Sequence, residues 1–118
     1  MGHVYVDVTF SNMDDASKRL DITALVDTGA TFSVLPIELA RELELETTDR
    51  TTVETAAGPI EMDMAWAVIE TGDRRAPSPV LIAEHTEHVL LGVVTLEILG
   101  FGVDPRKGEL TEVNALLY

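Results

Sequence analysis

The chain contains no cysteine, which excludes disulfides, thiolate zinc sites and a thiol nucleophile. Basic residues are scarce: 8 Lys and Arg stand against 21 Asp and Glu, for a formal net charge of −13. A phosphate-tracking surface needs clustered Lys and Arg. Here the adjacent basic pairs are Lys18-Arg19, Arg74-Arg75 and Arg106-Lys107, each at an expected turn. The balance argues against nucleic acid as a partner. A cationic partner or substrate stays open, beside the simpler reading of a surface kept soluble by its carboxylates. Long apolar runs are also missing: none approaches the roughly 20 residues of a membrane span. The opening "MGHVYVDV" lacks the basic region and apolar core of a secretory signal, so a cytoplasmic location is expected.

What is present is a 118-residue chain, 46% apolar, which fits one domain over residues 1–118 with a real core. "HVYVDVTF" alternates, with Val4, Val6, Val8 and Phe10 on one face, and reads as a strand. The turn-rich "SNMDDASKR" and the apolar "LDITALVD" make residues 4–27 a hairpin. "PIELARELEL" reads as a short helix with Pro36 at its first position, its charged side a solvated face. "TTVETAAGPIEMDMAWAVIE" predicts two strands meeting at a tip near Gly58 and Pro59. In the second of these, Met62, Met64, Trp66 and Val68 are expected on a buried face, with a substrate pocket at Met62 or Met64 as the alternative. "TGDRRAPSP" reads as a loop, and "PVLIA" and "HVLLG" as short strands. "VVTLEILG" reads as a helix stopped by Gly100, "FGVDPRKGEL" as strand, turn and strand, and "EVNALLY" as extended. The sum is a mainly β fold with one or two short helices.

One stretch conflicts with its own hydrophobic pattern. "ALVDTGATFSVLP" drives an apolar strand into Asp27, and burying an ionised carboxylate is costly unless something pairs with it. Either Asp27 opens a turn, as Asp and Gly commonly do, or it is held there for chemistry. Gly29 allows a tight turn and the Thr28 hydroxyl can bond nearby backbone groups. A carboxylate fixed in this way has a set position and a perturbed proton affinity, as a catalytic acid or base requires. "EHTEH" raises a metal reading for His85 and His88. The order is not His-Glu-x-x-His and no third ligand is marked, so exposed loop histidines are the better reading.

"LVDTGATFSVLP", the glycine-tipped "AAGPIE" and "VLLGVVTLEILGFGVDPRKGEL" follow one another in that order. Together they resemble the retropepsin-like aspartic proteases, the retroviral-type single-domain peptidases with prokaryotic members, over nearly the whole chain. The resemblance implies a small closed β-barrel and an aspartic endopeptidase that needs neither metal nor cofactor. Asp27 would be the catalytic aspartate, and Thr28 would brace the two active-site loops of a dimer. Gly29 would permit the turn close to substrate, and Ala30 and Thr31 would help line the site. Ala56, Ala57, Gly58, Pro59 and Ile60 would form a flap over an extended peptide, and Leu90, Leu91 and Gly92 would pack beneath the active-site loop. The chain holds one Asp-Thr-Gly and no Asp-Ser-Gly, while the family's site uses two aspartates. An obligate homodimer with the site on its two-fold axis is therefore expected. Two departures stand out: the tip lacks several glycines, and Pro59 has no N–H to donate. They favour the alternative of a catalytically weak or inactive dimeric peptide-binding or scaffold module. The intact Asp27-Thr28-Gly29 favours the enzyme.

Overall fold

The computed structural model describes residues 3–104 and 106–113. Strands β1 (Val4–Asn12) and β2 (Arg19–Val26) form the expected antiparallel hairpin, in register from Val4 opposite Val26 to Ser11 opposite Arg19. The Asn12 side chain closes its turn by accepting the Asp14 and Asp15 N–H groups at 2.8 and 3.1 Å. After the 27–32 loop come β3 (Ser33–Pro36) and helix α1 (Ile37–Glu42). Pro36 is thus the last strand residue rather than the first helical one.

Strands β4 (Thr47–Thr55) and β5 (Gly58–Thr71) form the second hairpin, and β6 (Arg74–Ala83) follows β5 at once. The expected loop over residues 71–79 is instead the end of β5, a turn at Gly72 and Asp73, and half of β6. Pro77 and Pro79 are tolerated because β6 pairs there with β5 on one edge only; its parallel pairing with β3 begins at Val80. Arg74 and Arg75 open this strand and Arg19 opens β2, so of the basic pairs only Arg106-Lys107 lies wholly within a turn.

The chain then runs through β7 (Leu90–Leu91), α2 (Val93–Leu99), β8 (Phe101–Asp104) and β9 (Glu109–Glu112). Gly100 ends α2 in the left-handed conformation (φ 77°), as its position in the sequence predicts. Of the expected extended tail "EVNALLY", β9 takes in Glu112, and residues 114–118 lie outside the described residues.

The main sheet runs β1-β2-β7-β3-β6-β5-β4, and β1 also pairs with β5, from Thr9 opposite Glu70 to Asn12 opposite Ala67. That second pairing closes a ring of strands and leaves β4 outside it. Phe10, Leu35, Ile69 and Leu91 fill the interior at 0% exposure. From β5 it is Ala65, Ala67 and Ile69 that face inward, while Trp66 is 43% exposed. The expected burial of the Met62-Met64-Trp66-Val68 face is therefore reversed. Both faces of β5 are apolar, and the interior takes the smaller one. Among the described residues no helix is long and apolar enough to cross a membrane.

Candidate active site

Asp27 is the first residue beyond β2, where the strand gives way to a tight turn. Its N–H donates to the Leu91 carbonyl at 2.9 Å, its Oδ1 accepts the Gly29 N–H at 2.9 Å, and its carbonyl accepts the Ala30 N–H at 3.1 Å. Backbone and side chain are both held within three residues. The carboxylate is half-buried, Thr28 and Gly29 are exposed, and Ala30 is half-buried. A Cβ on Gly29 would sit 3.3 Å from Asp27 Oδ1, which is the close approach that glycine relieves.

The segment beneath is joined to this loop by main-chain bonds. Leu25 and Val26 lie opposite Leu90 and Leu91 in the parallel β2–β7 pairing. The first N–H groups of a helix have no partner within it, and α2 has no side-chain cap of its own. Val93 and Val94 donate instead to the carbonyls of Ala30 and Thr31, both at 2.9 Å, and Gly92 N–H donates to Ser33 Oγ at 3.0 Å. The Asp27 loop is thus the cap of α2. Gly92 lies so close under it that a Cβ there would stand 2.4 Å from the Phe32 carbonyl carbon and 2.5 Å from its oxygen.

A groove of about 640 Å³ opens beside Asp27. Gly29, Ala30, Thr31, Phe32, Leu81 and Leu90 line it together with Thr52 to Thr55 of β4. Sequence reasoning placed Thr31 and Ala30 here and missed Phe32, Leu81 and the β4 residues. In the hairpin Val53 lies opposite Ile60. The hairpin tip is Ala56 and Ala57, flanked by the Thr55–Gly58 pair, and Pro59 sits one step down the ladder opposite Glu54. Gly58 takes φ 113°, a conformation other residues rarely adopt. Of the five expected flap residues, none lines this groove; Ile60 faces a second cavity with Ile37, Met62 and Ile82. Arg50 braces the hairpin's base, 3.1 Å from Asp63 and 3.6 Å from Glu61. His85 and His88 are exposed, and no metal-holding group of three is found among the described residues.

Residues 6–95 match the family model described as aspartyl protease. No curated protein matches the chain. In fold it is similar to the EIAV protease complexed with the inhibitor HBY-793, with a TM-score of 0.63 and 22% identity over 84% of this chain and 89% of that one. It is also similar to a retropepsin-like aspartic protease from Rickettsia conorii, with a TM-score of 0.61 and 23% identity over 87% of this chain and 77% of that one. Asp27-Thr28-Gly29, β7 and the first turn of α2 fall within the matched span, and the chain belongs to the aspartyl protease family, with the retropepsin-like fold.

Proposed function

We propose that the protein is an aspartic endopeptidase whose site forms on the two-fold axis of a homodimer, one Asp27 coming from each subunit. The observation that carries this reading is the placement of Asp27, fixed by the Gly29 N–H at the wall of a groove of about 640 Å³. One Asp-Thr-Gly per chain leaves a second copy as the source of the second carboxylate. Thr28, exposed beside Asp27, would reach the partner's loop in such a dimer.

Two carboxylates a few ångströms apart cannot both ionise easily, so they share a proton and titrate as a pair. The ionised member takes a proton from a water held between them, and that water attacks the peptide carbonyl. The protonated member donates to the carbonyl oxygen. As the resulting diol collapses and its C–N bond breaks, the carboxyl that took the water proton passes it to the leaving nitrogen, and the other carboxylate takes back a diol proton, restoring the shared-proton pair. An extended substrate would lie along β4, with Phe32, Val53, Leu81 and Leu90 offering apolar surface to its side chains. The Ala56–Ala57 tip would close over it and exclude water.

The test is sedimentation across a dilution series, with peptide-library cleavage on the same samples. Cleavage should track the dimer population. Asp27→Asn should keep fold and dimer while losing about a thousandfold or more in kcat, the scale of acid–base catalysis. A protein that stays monomeric wherever it is folded, or cleavage that survives Asp27→Asn, would refute the reading.

A further inference from the structure

Ser33, Thr95 and Ser78 are buried at 0% exposure in otherwise apolar segments of β3, α2 and β6. Their hydroxyls touch in series: Ser33 Oγ lies against Thr95 Oγ1, and Thr95 Oγ1 is 2.8 Å from Ser78 Oγ. The two ends of the series set its direction. Ser78 donates to the Pro79 carbonyl at 3.2 Å, and Ser33 accepts the Gly92 N–H at 3.0 Å. Each hydroxyl has one proton, so Thr95 donates to Ser78 and Ser33 donates to Thr95. The result is one directed chain from the Gly92 amide to the Pro79 carbonyl, its members polarising one another. No buried side-chain polar atom among the described residues lacks a partner.

The Gly92 nitrogen belongs to the same planar peptide unit as the Leu91 carbonyl. That carbonyl accepts the Asp27 N–H at 2.9 Å. One rigid plate therefore carries the hydroxyl chain on one side and the Asp27 backbone on the other. The plate lies close under the Asp27 loop, where a Cβ at Gly92 would meet the Phe32 backbone. We infer that Thr95 is a positioning residue for Asp27, acting through Ser33 and the Leu91–Gly92 peptide. Without the Thr95 acceptor, the Ser33 proton must turn elsewhere, which takes the Ser33 lone pair off Gly92 and frees the plate that orients Asp27.

As far as it concerns catalysis, the inference rests on the endopeptidase reading, so its test carries a readout independent of turnover. Thr95→Val keeps the shape and removes the hydroxyl; Thr95→Ser keeps the hydroxyl and removes a methyl. Both would be compared with the unaltered dimer for kcat, KM, dimer fraction and amide exchange at Asp27 and Gly92. For Thr95→Val the expectation is a kcat lower by about tenfold or more, the cost of a slightly misplaced reacting group, with KM within about twofold. The Asp27 and Gly92 amides should exchange faster while core amides such as Phe10 do not. Thr95→Ser should restore both. A folded, dimeric Thr95→Val with unaltered kcat and amide protection would overturn the inference, and so would failure of Thr95→Ser to rescue. If the unaltered protein cleaves nothing, the endopeptidase reading fails, and the exchange data alone decide whether Thr95 holds Asp27.

Discussion

Two glycines near Asp27 differ in what a methyl group would meet. At Gly92 the added Cβ strikes backbone on three sides, the nitrogen, carbon and oxygen of Phe32. Gly92→Ala should therefore cost about 2 kcal/mol or more in a urea melt, since no side chain can swing away. At Gly29 the neighbour is the Asp27 carboxylate itself at 3.3 Å. Gly29→Ala should leave the melting midpoint nearly unchanged and lower turnover by displacing that carboxylate. A similar loss of stability in both variants would contradict this contrast. In the β1–β2 turn, the Ser17 hydroxyl and N–H bonds hold the exposed Asp15 carboxyl below its usual range, while the bond to Glu44 holds the Lys18 ammonium above its own. The signs follow from linkage. A depressed carboxyl stabilises above its unfolded value of 3.8 and loses that contribution as pH falls through its lower folded value. A raised ammonium stabilises below 10.5 and loses its contribution as pH rises beyond it. Asp15→Asn should thus be less stable than the unaltered protein at neutral pH, with the gap closing as pH falls below 3.8, and a gap that persists in acid would contradict this.

Among the elements, the β8–β9 hairpin stands outside the main sheet and is tied to it in part by one side chain, Arg74. A two-stranded sheet is marginal in water by itself. Arg74 holds this one by donating to the Leu99 carbonyl at 3.0 Å, lying over the Phe101 ring at 5.5 Å and approaching Glu112 at 3.6 Å. The first contact also places a cation at the C-terminal end of α2, where the helix dipole favours one. Arg74→Ala should cost about 1–2 kcal/mol and expose the 101–104 and 109–112 amides to exchange ahead of the main sheet. Unchanged exchange in that hairpin would show that its anchor lies elsewhere. This is also the scale at which the sequence was least legible. The β1–β2 hairpin and α2 could be read because their patterns are local: alternation, turn residues, a terminal glycine. The first half of β6 could not, because Pro77 and Pro79 look like strand breakers until the structure shows which edge is free, whereas "PVLIA" was readable as the second half. The four residues of β3 are too few to show a period, and β5 is apolar on both faces, so its alternation does not say which one turns inward. Asp27-Thr28-Gly29 was legible because a carboxylate interrupting an apolar run is costly anywhere. The β4 wall of the groove was not, since exposed Thr and Glu carry no such conflict.

For the molecule as a whole, charge opposes assembly. A dimer would carry about twice the −13 of one chain, and like charges repel across any interface they share. Raised salt or mild acidity should therefore increase both dimer fraction and turnover. Sedimentation and cleavage measured together across salt and between about pH 4.5 and 7.5 would check it, and flat profiles in both would count against it. The cap that α2 borrows from the Asp27 loop has a further effect at this scale. What Ala30 and Thr31 give the helix is their carbonyl oxygens, which every residue type possesses; what they turn towards the groove is their side chains. Under the proposed function, support and selectivity would thus lie in different parts of the same two residues. On the endopeptidase reading, those side chains could be exchanged, and with them the peptides accepted, while the frame that aims the carboxylate stays as it is.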